Sequence, residues 1–73
     1  MYKISIPTSA LGRTEYWLHH PRSVADLEAM GEALVAGVRV MLDPGTGETL
    51  RAWLHFHAEV NCWIAYPEPN QAP

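Results

Sequence analysis

Four histidines in a chain of 73 residues are the side chains whose spacing could support metal chemistry. His55 and His57 flank one phenylalanine, and residues two apart on a β-strand project to the same face about 7 Å from each other. Cys62 could add a thiolate if the chain turned back and placed it opposite His57. However, the sequence lacks the paired Cys or His motifs of structural zinc sites. We therefore expect no metal or other cofactor, and a metal binder built on His55 and His57 remains an alternative.

Nucleophilic catalysis would require a cysteine or serine beside a base and an orienting carboxylate. Cys62, a histidine and either Glu48 or Glu59 could form such a set, but no local sequence signature supports it. Gly45 and Gly47 lie in a predicted turn that does not precede a helix, so they do not indicate a phosphate-binding loop. We expect a protein that is not an enzyme.

Three tryptophans, Trp17, Trp53 and Trp63, are more than the small core of such a chain holds comfortably. At least one of them should reach the surface. Exposed aromatic side chains near an arginine are typical of protein interfaces, and Arg51 lies two residues before Trp53. The sequence therefore predicts a protein-binding surface. The alternative is that the sheet curls and both of its faces are covered, so that Trp53 and Trp63 belong to the core.

The register of the predicted hairpin between residues 48–57 and 62–66 decides which side chains share a face. If His57 opposes Cys62, the thiol and both imidazoles lie on the same face. A shift of one residue instead places Cys62 with Phe56 in the core, and we favour this register with its three-residue loop because it collects the apolar residues. The inward set is then Leu50, Ala52, Leu54, Phe56, Cys62, Ile64 and Tyr66, and the outward set is Trp53, His55, His57, Trp63 and Ala65.

One helix is predicted between Ser23 and Gly37. Ser23 is a suitable N-cap with Asp26 three residues later, a variant of the capping box, and Gly37 is a suitable C′ residue. Away from its apolar stripe the helix is rich in alanine, and Glu28 and Glu32 could offer acidic groups to a basic partner. The apolar stripe, which we expect to lie on the sheet, is Val24, Leu27, Met30, Leu34 and Val35.

The strands are predicted around a three-stranded antiparallel meander in residues 38–66. Residues 43–47 form its first turn, in which Pro44 presets φ and Gly45 can adopt a positive φ. Before the helix, residues 2–6 and 14–19 read as two further strands that could pair as a hairpin. The prediction is thus a small α+β domain of order β-β-α-β-β-β. It has a mostly antiparallel sheet of about five strands, in an SH3-like partly open barrel, with one helix packed on it.

Chain length, net charge and cysteine count limit the class of protein. We expect a single compact domain over residues 1–66 and a disordered proline-rich tail over residues 67–73. The net charge of −3 and the scattered basic residues disfavour direct nucleic-acid binding. A single cysteine indicates a reducing, cytoplasmic setting, and no apolar run is long enough for a signal peptide or a membrane helix.

These observations favour a non-catalytic protein–protein interaction module that either self-associates as a homodimer or docks on a larger protein. A small inhibitor of a host defence complex, anti-CRISPR-like and encoded by a phage or mobile element, is an alternative version of this function. The predicted partner-binding residues are Arg51, Trp53, His55, His57 and Trp63 on the sheet, with Glu28 and Glu32 on the helix.

Overall fold

The structure is a computed structural model that describes residues 1–8 and 12–69. Within these residues a five-stranded mixed sheet curves into a half-barrel with one α-helix, so the small α+β domain and its predicted element order are confirmed. Most of the predicted tail, residues 70–73, lies outside the described residues. The elements are β1 (Lys3–Ser5), β2 (Tyr16–Trp17), α1 (Pro21–Met30), a 3₁₀ turn (Gly31–Ala33), β3 (Arg39–Asp43), β4 (Leu50–His57) and β5 (Cys62–Pro67).

The meander of β3, β4 and β5 forms the centre of the sheet, as predicted. Successive strands pair antiparallel, with Leu42 opposite Leu50 where β3 turns into β4. In that turn Gly45 has a φ of 83°, and its N–H donates to Oδ1 of Asp43 at 2.8 Å. Because a positive φ costs glycine almost nothing, the turn closes without strain.

The predicted hairpin of β1 and β2 is wrong. The sheet order is β1-β3-β4-β5-β2, with β1 parallel to β3 and β2 antiparallel to β5. This arrangement gives each outer strand of the meander a neighbour, whereas a separate hairpin would leave one of these strands as an open edge. Ile4 then lies opposite Leu42, and Tyr16 opposite Ala65, and all four side chains are buried.

The favoured register of the β4–β5 hairpin is also wrong. His57 pairs with Cys62, and Leu54 pairs with Ala65, so the connection has four residues, 58–61. Asn61 closes it with a φ of 48°, a conformation that asparagine tolerates better than most residues. The inward and outward sets on β5 are therefore exchanged relative to the prediction.

The helix begins and ends earlier than predicted. His20 is the N-cap, with Nδ1 accepting from the Arg22 N–H at 3.2 Å, and Pro21 takes the first helical position, which suits its fixed φ. Ser23 lies inside the helix and is buried, so it is not the cap. The helix ends at Gly31, whose φ is 55°, and not at Gly37.

Side chains of α1 bind the backbone of β1 at the edge of the sheet. The Ser23 hydroxyl donates to the carbonyl of Ser5, and the Ser5 N–H donates to Oδ2 of Asp26 at 2.8 Å. Both residues of the predicted capping box thus hold the helix to the sheet. They occupy an edge to which another strand could otherwise be added.

The core lies between α1 and one face of the sheet, which we call the core face. Of the predicted apolar stripe, Leu27 and Met30 are buried and Leu34 is half-buried, but Val24 and Val35 are exposed. Val35 is exposed because α1 ends at Met30, whereas Val24 lies within α1 but outside the row of Ser23, Leu27 and Met30 that the helix buries. The buried hydrophobic cluster is Ile4, Ile6, Tyr16, Leu18, Leu27, Met30, Val40, Leu42, Ala52, Leu54 and Ala65.

Candidate functional site

The opposite side of the sheet, which we call the outer face, is covered by no element that the structure describes. Strand register assigns its side chains, because directly paired residues share a face. Ile64 is buried at its centre between its cross-strand partners Trp17 and His55. The outer face consists of Lys3, Ser5, Trp17, Arg39, Met41, Asp43, Arg51, Trp53, His55, His57, Cys62, Ile64 and Tyr66.

Tyr66 connects the two histidines of β4 into one packed layer. Its ring meets that of His55 in a T-shaped contact with centroids 5.8 Å apart, and the His57 ring lies 6.0 Å away. The Tyr66 hydroxyl and Nε2 of His57 are 2.7 Å apart, so they form a hydrogen bond. These contacts hold the aromatic side chains in fixed positions, which lowers the entropy lost when a surface binds a partner.

An ion-pair cluster borders the same face. Glu68 accepts hydrogen bonds from Arg39 on β3 and from Nε of Arg51 on β4, the latter at 2.7 Å. The hydrogen bond from Arg39, together with that from Arg51, lowers the pKa of Glu68 below its ordinary value. Glu68 also donates its N–H to the Arg51 carbonyl at 2.9 Å, so the segment after β5 is fixed to β4.

We expect Glu68→Gln to lower the urea midpoint at pH 7 and to have a smaller effect in acid. A carboxyl whose pKa is lowered by folding contributes stability above its unfolded pKa of about 4.3, and loses it as the pH falls through the folded pKa. The arginines are about half exposed, so solvent screening keeps the effect small. Urea titrations of both proteins at pH 7, 5 and 3 should converge at low pH, with Glu48→Gln as the control. A gap that stays constant with pH would contradict this role.

Four of the seven predicted partner-binding residues, Arg51, Trp53, His55 and His57, lie together on the outer face. Trp63 does not join them, because it pairs with Phe56 on the core face. The predicted tryptophan pair across β4 and β5 is therefore wrong. Glu28 and Glu32 are exposed on α1 and on the 3₁₀ turn that follows it.

Sequence reasoning did not include Trp17 in the site. Its side chain is 46% exposed, the most exposed of the three tryptophans. The pairing of β2 with β5 brings it to the outer face. Because that contact joins strands far apart in sequence, no local signal could have revealed it. Trp17 also borders an open cleft of about 490 Å³ lined by Ile6, Pro7, Arg13, Tyr16, Trp17, His19 and His20.

The observed register does place Cys62 on the same face as His55 and His57. Nevertheless, no three His, Cys, Asp or Glu residues within residues 1–8 and 12–69 come together as a metal-binding group. The Cys62 thiol donates to the carbonyl of Trp63 at 3.2 Å. The metal-binding alternative therefore lacks a third ligand among the residues described.

No protein-family model matches this chain, and neither a curated protein nor a solved structure is similar enough to match it. The described part of the chain has no helix of the length and apolar character needed to cross a bilayer. The surfaces of the molecule are therefore the observations from which a function can be proposed.

Proposed function

We propose that this protein is a non-catalytic protein-interaction module that forms a homodimer through its outer face. The observation that carries the proposal is the uncovered sheet face opposite α1, on which Trp17, Trp53 and Tyr66 lie together. Tryptophan, tyrosine, methionine and arginine are the residue types enriched in protein interfaces. The outer face contains all four types.

Charge on this face favours a second copy as the occupant. Arg39 and Arg51 are both paired with Glu68, and the face also carries Lys3 and Asp43, which have opposite charges. Two such surfaces can therefore approach without strong repulsion. In a symmetric dimer the same patch meets itself, and a nearly neutral aromatic patch is compatible with that geometry.

The size of the face limits the expected affinity. The Cα atoms span 30 × 22 × 22 Å, so one side of the molecule projects to roughly 500–650 Å². Two such sides would bury about 1,000–1,300 Å² in total, at the lower end of the range for specific interfaces. We therefore expect a reversible dimer with a dissociation constant on the order of 10 μM rather than a permanent one.

Sedimentation equilibrium from about 1 μM to about 1 mM tests this proposal, because it spans the expected dissociation constant. Trp17→Ala should weaken the dimer at least about tenfold, since the substitution occurs twice in a symmetric interface. His55→Glu should act in the same direction by placing carboxylates in an aromatic contact. Both side chains are exposed, so the variants should remain folded.

Val35→Ala is the matched control, because Val35 is an exposed apolar residue outside the outer face. It should leave the dissociation constant unchanged. A wild-type protein that is monomeric at about 1 mM would overturn the proposal. So would a dimer that is unaffected by both Trp17→Ala and His55→Glu.

A further inference from the structure

A second surface lies between α1 and the β4–β5 hairpin, where a groove of about 330 Å³ opens. It is lined by residues of three segments, which are Leu18 and His19 before α1, Val24, Leu27, Glu28 and Leu34 in and after α1, and Asn61, Cys62 and Trp63 of the hairpin. Several exposed apolar side chains either line this groove or adjoin residues that do. They are Val24, Val35, Phe56 and Val60, which are 37%, 55%, 45% and 42% exposed.

The groove is open because α1 covers only part of the core face. Ser23 and Asp26 hold the helix at the β1 edge, on the far side of the sheet from β5. Phe56 and Trp63 therefore extend beyond the helix and contact each other edge to face, with centroids 5.6 Å apart. Apolar surface of this kind, grouped in one place on a small domain, is characteristic of an interaction site.

The groove has an acidic side chain in its lining, Glu28 of α1. None of the five lysines and arginines of the chain lines the groove. Charge complementarity therefore favours a partner that presents basic groups around an apolar centre.

The sheet edges indicate how such a partner binds. At the β1 edge, the backbone N–H and C=O of Ser5 are already bonded to Asp26 and Ser23. At the other edge β2 has only two residues, and the Trp17 carbonyl is bonded to the His19 ring at 3.1 Å. Addition of a partner strand is thus disfavoured. Insertion of side chains between α1 and the hairpin is the mode that the groove permits.

We propose that this groove binds a basic amphipathic helix of another protein. Apolar side chains one turn apart would enter between α1 and Trp63, and lysines or arginines beside them would face Glu28. The volume is close to the lower limit of about 300 Å³ for ligand pockets, which suits a few side chains rather than a large ligand. Trp63 of the groove lies on the core face and Cys62 on the outer face, so the groove adjoins the proposed dimer surface at β5, but peptide binding does not require the dimer.

Two synthetic helical peptides of about four turns provide the probe. The first carries leucine at positions i, i+4 and i+7 with lysine on the polar face, and the second replaces every lysine by glutamate. Titrated into ¹⁵N-labelled protein, the lysine peptide should bind at least about tenfold more tightly. Its binding should shift the amide resonances of Val24, Glu28 and Trp63.

Val24→Ser should weaken binding of the lysine peptide by about five- to tenfold, because it removes apolar area from the groove. Glu28→Lys should reduce or reverse the preference for the lysine peptide. Two controls make similar changes elsewhere: Tyr2→Ser alters another exposed apolar side chain, and Glu48→Lys reverses an exposed charge. Both controls should bind like the wild type, and urea midpoints should confirm that every variant is folded.

Equal binding of the two peptides, or no binding at about 1 mM, would overturn the proposal. Resonance shifts confined to the outer face would do the same, because they would place the peptide on the other surface. If Val24→Ser changed the solution mass of the protein alone, a second copy would occupy the groove and the proposed partner would be wrong.

Discussion

Ala65→Asp should leave the protein unfolded at neutral pH. Ala65 is completely buried on the core face, opposite Leu54 on β4 and Tyr16 on β2. An aspartate there would have to bury its carboxylate among apolar side chains, which costs several kcal/mol even after its pKa has risen. The whole domain is expected to have only about 4–11 kcal/mol of stability. Far-UV circular dichroism and urea titration measure the loss directly.

A milder substitution keeps this prediction testable if the aspartate variant cannot be purified. Ala65→Val should lower the free energy of unfolding by about 1–3 kcal/mol, because it adds volume to a packed site. The control is Thr46→Asp in the turn between β3 and β4, which is exposed and should change stability by no more than about 0.5 kcal/mol. If Ala65→Asp were as stable as the wild type, Ala65 would lie outside the core and the four-residue connection would be wrong.

The meander could be predicted because its signals are local. Strict alternation along β4, with Ala52 and Leu54 inward and Trp53 and His55 outward, needs only the period of two of a strand. The turn before it is indicated by Asp43 and Gly45, whose roles are fixed within a few residues. Such features do not depend on which other strand lies beside them.

Hairpin register was not fixed by the same signals. Either register places apolar residues of β5 inward, because Cys62, Ile64 and Tyr66 are as apolar as Trp63 and Ala65. The feature that distinguishes the two registers is the connection, in which Asn61 adopts a positive φ and closes a loop of four residues. Apolar content alone favoured the wrong register, since a shift by one position changes faces without changing composition.

In the candidate site, too, local signals were predicted correctly and features that depend on strand pairing were not. Arg51, Trp53, His55 and His57 were grouped correctly because they alternate along one strand, and this grouping is independent of register. Trp63 was misplaced because its face depends on pairing with β4. The edge partners β1 and β2 pair with strands more than 30 residues away along the chain. Their contribution to the outer face, including Trp17, therefore required the three-dimensional structure.

The start of the helix was misjudged because serine and aspartate have two competing uses. Near a helix N-terminus they bond local N–H groups, but the same side chains can bond a neighbouring backbone. Here the sequence His20-Pro21 supplies the cap and the first helical residue. Ser23 and Asp26 then lie in the first and second turns of the helix, where both side chains bond the backbone of β1.

Removing this attachment to β1 should have the second largest effect. Ser23→Ala leaves the Ser5 carbonyl without its donor, and Asp26→Ala leaves the Ser5 N–H without its acceptor. Each substitution should lower the free energy of unfolding by about 1–3 kcal/mol, because it leaves a partly buried backbone group without its hydrogen-bond partner. The double variant should cost about 2–4 kcal/mol, less than the sum, since both side chains hold the same residue.

Urea titration of the single and double variants gives these energies, and amide exchange at Ser5 identifies their origin. Exchange at the Ser5 N–H should accelerate in Asp26→Ala, whereas a capping role confined to the helix would leave it unchanged. Glu28→Ala removes a carboxylate from the same helix without touching β1, and should cost no more than about 0.5 kcal/mol. If the double variant retained wild-type stability, the helix would be held by Leu27 and Met30 alone. If the double variant were instead lost to aggregation, the two side chains would also protect the β1 edge from pairing with other chains.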